Sequence, residues 1–259
     1  HICYCITTHA YTHKVIVASM VVAASFVTIM MHAVLSAAVA ASAADFSALA
    51  VDHGVYSLVE LAYGPRGRGL FVTQDVRAGE PIVVVPWSLC LVADGGAADP
   101  CSPWDAPSAH GRDTLLATQL LQALGGSLSP EAISLPEDTC RFWQKWSEML
   151  PALGTTAHPL TLPDSLVDQL QDGELTRAAA LQKARADALL GDCADSPEVG
   201  RWALAMCSSR PFTIPSATED VREEGTSGVA RPTAFVPFVD MANHDDCDPN
   251  CEVQGRGDG

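Results

Sequence analysis

The chain has 259 residues, 48% hydrophobic and 18% charged, a globular composition with length for one large domain or two small ones. Its formal net charge of -16 argues against nucleic acid, whose phosphates demand clustered Lys and Arg, and suits a basic protein or peptide reached through electrostatic steering. Nine Cys, an odd number scattered mostly singly, suggest no disulfide framework and favour a reducing compartment.

The first 44 residues stand apart, with Lys14 as their one charged side chain besides His. The stretch VIVASMVVAASFVTIMM (Val15–Met31) is uncharged, and Ala/Ser-rich sequence follows to Ala44. A signal peptide cleaved near "ASA", a membrane helix and an organellar transit segment all fit. An acid-free Ala/Ser-rich leader suits a plant or algal organelle, so the expected location is chloroplast or cytoplasm, with a signal or membrane segment as the alternative. Such a leader would contact a membrane or import machinery. The sequence begins at His1, and Met20 is a plausible start, which would make residues 1–19 an artefact. His1, Cys3, Cys5, His9 and His13 resemble metal ligands by count, and the artefact reading is preferred to a metal tract.

Three strands are expected next, at VYSLVELAYG (55–64), GLFVTQDV (69–76) and EPIVVVPWSLCLV (80–92). The turns GPRGRG and RAGE between them imply hairpin connections. A Gly/Ala/Pro/Asp-rich loop covers 94–112. The middle is helical: DTLLATQLLQAL sets Leu116, Leu120 and Leu124 at spacing four. EDTCRFWQKWSEML (137–150) carries Phe142, Trp143 and Trp146 and stops at Pro151. Pro163 opens a further helix, GELTRAAALQKARADALL (173–190) is strongly helix-favouring, and PEVGRWALAMCSSR (197–210) sets Trp202 and Met206 on one face. A polar loop over 216–231 precedes a strand, TAFVPFV (233–239). Strands at both ends around a helical block are not the alternation of a parallel sheet.

GPRGRGLF (64–71) does not match G-x-G-x-x-G and leads into a strand, so a dinucleotide fingerprint is not expected. Glycines there permit close backbone approach to a ligand, or serve a plain hairpin turn. In NHDDCDPNC, His244, Cys247 and Cys251 are metal-ligand types, but no second close pair completes a zinc set, and no metal is expected. The tripeptide "RGD" (256–258) is read as chance. The two Asn of the whole chain, Asn243 and Asn250, fall within FVPFVDMANHDDCDPN. Asn and His where the chain leaves a buried strand can bond an adenine, a carboxylate or a threaded chain segment.

The combination carries a family resemblance over about residues 54–255. GRGLFVTQDVRAGEPIVVVP (67–86) resembles the opening strands of SET-domain protein methyltransferases, and DMANH followed by DPN resembles their Asn-His motif, with one extra Asp. RWALAMCSSRPF (201–212) and LPALGTTAHPLTLPDSLVDQLQDGEL (150–175) are similar to one branch with a split SET domain. It includes the Rubisco large-subunit lysine methyltransferase and the actin-histidine methyltransferase.

The resemblance implies a mixed α+β, SET-type fold of short antiparallel strands and small sheets, interrupted by a helical insert. Residues 1–44 would be the leader, 54–93 the first part of the SET domain, 94–231 the insert and 232–259 an incomplete last segment. It implies S-adenosylmethionine as cofactor. Arg66, Gly67 and Arg68 would lie at its methionine part, Arg210 at the Ser-Arg position, and Asp240, Met241, Ala242, Asn243 and His244 on the segment lining its pocket. The reaction would be methyl transfer to a lysine, or a histidine, of a protein substrate, by a monomer. The nucleophile must be neutral and held in line, which a desolvating channel favours. The family's catalytic Tyr follows the Asn-His motif, whereas Tyr4, Tyr11, Tyr56 and Tyr63 all precede it. The family's C-terminal helical domain has no counterpart before Gly259. A C-terminally truncated chain with weak or no turnover is therefore expected, and a module that binds only cofactor or a partner is the alternative.

Overall fold

The computed structural model describes residues 2–8, 45–64, 67–93, 109–126, 135–214, 232–243 and 250–257. The architecture is mixed α+β, helices with small antiparallel sheets. The chain divides into two units, residues 1–87 with 241–259 and residues 88–240.

In the first unit, β1 (Ile2–Thr8), β2 (Tyr56–Ser57), β5 (Pro81–Pro86) and β9 (Cys251–Gly257) form an antiparallel sheet in the order β2-β5-β1-β9. β5 is an almost continuous apolar run, and Ile82, Val83 and Val85 are buried, so both its faces are covered. Ile2–Thr8 belong to the stretch read as a leader and pair with both β5 and β9. The rest of that stretch as far as Ala44, with Val15–Met31, His9 and His13, lies outside the described residues. Among the described residues no helix is long and apolar enough to cross a membrane. A helix α1 (residues 45–52) buries Phe46, Leu49 and Ala50 at helical spacing and leaves Val51 exposed.

The run 55–64 is two strands, not one. Ser57 Oγ donates to the Val59 carbonyl (3.0 Å) and accepts from the Val59 N–H (3.3 Å), a local turn that bends the chain at Leu58. Leu58 then bonds in two directions, donating to the Ile82 carbonyl (2.7 Å) and accepting from the Thr73 N–H (3.0 Å). Beyond it β3 (Val59–Gly64) pairs with β4 (Gly67–Val72) in a separate hairpin, in register from Val59 opposite Val72 to Gly64 opposite Gly67. The hairpin expected of GPRGRG is present; the one expected of RAGE is not. Glu80 N–H bonds the Arg77 carbonyl (3.0 Å) and Arg77 N–H bonds Glu80 Oε2 (3.0 Å), closing a tight turn, yet β4 and β5 belong to different sheets. Turn residues dictate a reversal but do not choose the strand's partner.

Among the described residues, the second unit joins a three-stranded antiparallel sheet, in the order β6 (Leu91–Ala93), β8 (Thr233–Phe235), β7 (Phe212–Thr213), to five α-helices. The apolar run 80–92 is broken by a 3-10 turn over Trp87–Leu89, after Pro86, which has no N–H to offer a ladder. The expected strand 233–239 likewise ends at Phe235, because Pro237 lacks a donor and Phe238 takes a positive φ of 68°. α2 (Ala109–Ala123) buries Leu116 and Leu120, and Gln119 Nε2 donates to the Val92 carbonyl of β6 (3.0 Å). α3 (Glu137–Ser147) supplies the aromatic core. Its Trp146 stacks on Phe142 (6.0 Å between ring centres) and lies 4.5 Å from Phe238, and Trp143 meets Phe235 edge-on at 5.1 Å. Trp143 Nε1 donates to the Leu89 carbonyl (2.9 Å), which satisfies a donor that burial would otherwise penalise.

α4 (Asp164–Val167) and α5 (Gly173–Leu190) are joined through Lys183, whose buried ammonium donates to Asp164 Oδ1 and the Leu162 carbonyl, both at 2.6 Å. α6 (Pro197–Ser209) is tied to α5 by a two-pronged pair: Arg201 Nε to Asp187 Oδ1 (2.7 Å) and Nη2 to Oδ2 (2.5 Å). That guanidinium holds the Asp187 carboxyl below its ordinary range.

His158 gives the second unit a pH dependence. Its Nδ1 accepts from the Leu160 N–H (3.2 Å), so the ring's proton sits on Nε2, facing Ser208 Oγ (3.4 Å). Burial lowers its pKa, and protonating Nδ1 would remove the Leu160 bond. The unfolded chain therefore takes up this proton first. Its stability contribution is complete above the ordinary histidine value of about 6.5 and is lost as pH falls through the lowered folded value. Thermal melts between neutral and mildly acidic pH are expected to show a loss that is smaller in His158→Gln, whose amide does not titrate. Equal losses in both proteins would contradict this.

Candidate functional site

The β3–β4 hairpin places the glycine-rich stretch. Gly67 has φ 92°, a left-handed conformation that L side chains rarely adopt, and nothing stands within 4 Å of where its Cβ would be. It is glycine for its backbone. Arg68 follows, opposite Tyr63 in the ladder, and its Nη2 donates to Met241 Sδ at 3.5 Å, although the two residues are 173 positions apart in sequence. Met241 is buried, and Ala242 and Asn243 beside it are exposed. Gly69, paired with Ala62, lies against Asn243: a Cβ built on it would come 2.5 Å from Asn243 Nδ2. Within the first unit, Gly67–Gly69 and Met241–Asn243 are thus neighbours. The exposed carboxamide of Asn243 presents a donor pair and an acceptor beside backbone with no side chain to screen it.

In the second unit Arg210 caps the C-terminal end of α6. Its Nη1 donates to the Asp240 carbonyl (2.9 Å) and approaches Asp240 Oδ2 (3.4 Å). The Asp240 side chain is fully buried and that of Arg210 is 20% exposed. Asp240 sits on a 3-10 turn, Val239–Met241, whose start is fixed by Asp240 N–H bonding the Val236 carbonyl (3.0 Å). The Ser-Arg position and the acidic residue opening the Asn-His segment are therefore direct partners.

Of the nine residues expected at the cofactor, Gly67, Arg68, Met241, Ala242 and Asn243 lie in the first unit and Arg210 and Asp240 in the second. Arg66 and His244 lie outside the described residues. Gly69 was missed by the sequence reading. The signal was present as the second glycine of "GRG", but a turn glycine and a contact glycine look alike in sequence. On the same hairpin the Phe71 ring covers Gly64, where a Cβ would stand 2.5 Å from Cζ.

Among the described residues no group of three His, Cys, Asp or Glu side chains could hold a metal ion. Cys251 is described, whereas His244 and Cys247 are not. Burial raises the Cys251 pKa, which disfavours the thiolate a metal would need. Neither protein-family models nor curated proteins give a match to this chain.

Proposed function

We propose that this chain is a SET-type module that binds S-adenosylmethionine, from an enzyme that methylates a protein side chain, a lysine in the first instance and a histidine in the second. The observation that carries this reading is the meeting of Gly67–Gly69 with Met241–Asn243 in one unit, since the resemblance assigns Gly67, Arg68 and Met241–Asn243 to the cofactor. The Arg210–Asp240 pair supports it from residues of the second unit with the same assignment.

The residues present fit such a group. Asn243 offers its carboxamide, Gly67 and Gly69 leave backbone accessible, and Arg68 supplies a cation at the same segment. When bound, the cofactor would supply an electrophilic sulfonium methyl. The contribution of the protein would be to orient it and to desolvate the attacking nitrogen. The net charge of -16 suits a basic, lysine-bearing segment as substrate.

A second reading, for these 259 residues taken by themselves, is binding without turnover: Tyr4, Tyr11, Tyr56 and Tyr63 all precede Asn243, and the resemblance calls for a catalytic hydroxyl after it. Calorimetry of the 259-residue chain with S-adenosylhomocysteine is expected to show one site, with methyl transfer to protein substrates weak or absent. No heat of binding would overturn both readings, and robust methyl transfer would overturn the second.

A further inference from the structure

We infer that Gly69 is a positioning residue, whose missing side chain is the slot that holds the Asn243 carboxamide in place. The two glycines of "GRG" are glycine for different reasons. Gly67 needs its positive φ and faces open space. Gly69 is an ordinary β4 residue paired with Ala62, and its φ is not in the left-handed region, so the backbone would accept any residue there. Space is what forbids it. A Cβ on Gly69 would lie 2.5 Å from Asn243 Nδ2, nearer than real Cβ contacts come, and a tight 3.2 Å from Cγ.

Asn243 is exposed, so the core does not pin its side chain, while Gly69 is buried. The atoms in conflict are the far end of that side chain, which could swing into solvent. Alanine at position 69 is therefore expected to displace the carboxamide while leaving the fold standing. Arg68, one residue earlier, holds Met241 and so keeps the segment near the strand. The inference deepens the proposed cofactor reading and rests on it for the ligand; the slot itself is a property of the fold.

The chain has two Asn, Asn243 and Asn250, which makes the test direct. Selective 15N labelling of asparagine side chains gives two carboxamide signals, and the one lost in Asn243→Ala is that of Asn243. Gly69→Ala is expected to shift that signal, leave the Asn250 signal in place and melt close to wild type. S-adenosylhomocysteine should bind the variant about tenfold more weakly, the size of one misplaced hydrogen bond. An unmoved Asn243 signal in Gly69→Ala would overturn the inference, as would an affinity equal to wild type. If Gly69→Ala does not fold, Gly69→Ala with Asn243→Ala is expected to recover folding by removing the conflict, and failure to recover overturns the inference. A displaced signal in Gly69→Ala, in a protein whose wild type binds no S-adenosylhomocysteine, would uphold the slot and overturn the cofactor reading.

Discussion

Replacing Arg210 with Met is expected to destabilise the unit of residues 88–240 by about 3 kcal/mol, the lower end of the range for breaking a buried ion pair. The Asp240 side chain is 0% exposed, and the Arg210 guanidinium donates to both its carbonyl and its carboxylate side. Without the guanidinium, a buried carboxylate loses the cation that faces it, and part of the cost is its lost solvation. The lower end applies because the Arg210 side chain is 20% exposed, so water can take over part of the role. Adding Asp240→Asn to Arg210→Met is expected to restore part of the loss, since a neutral amide is cheaper to bury than a charge. Urea melts of the three proteins test this. A loss below about 1 kcal/mol in Arg210→Met, the size of an exposed pair, would show that the contact is ornamental to stability.

Trp146→Ala is expected to cost about 3–5 kcal/mol, the usual result of emptying a large buried aromatic site. Trp146 is fully buried between Phe142 and Phe238, with ring centres at 6.0 and 4.5 Å. Neither neighbour can move in without losing its own packing, Phe142 because α3 carries it and Phe238 because its positive φ fixes the turn. Such a loss is a large share of the roughly 5–15 kcal/mol that holds a typical domain. Leu181→Ala on α5 is the control: Leu181 is 60% exposed, and its removal is expected to change little. Chemical denaturation separates the two, and similar stabilities for both variants would refute the aromatic core.

The helices from α2 onward were legible because their information is local, whereas α1 (residues 45–52) was not read. α5 runs from Gly173 to Leu190 as read, and it begins where Asp172 Oδ1 accepts from the Glu174 and Leu175 N–H groups. The cluster of Phe142, Trp143 and Trp146 was readable as core from bulk alone. Strand partners were less so. Leu58 and Trp87–Leu89 divide runs whose composition is uniformly strand-like, and the division depends on which sheet each half can join. At the candidate site, motif resemblance selected Arg68 and Met241, which do meet, and Asn243, which lies against Gly69, but it could not separate Gly67 from Gly69. Their difference lies in a contact with a residue far along the chain, which no local window contains.

The division of the chain also sets an order of events during synthesis. Residues 88–240 are contiguous and can close their own core as soon as they leave the ribosome. The other unit starts earlier but must wait, because β1 and β5 share a sheet with β9, made after all of them. Met241 and Asn243 are made after residues 88–240 and just before β9, so the candidate ligand-contacting segment joins its unit only after the other unit has been synthesised.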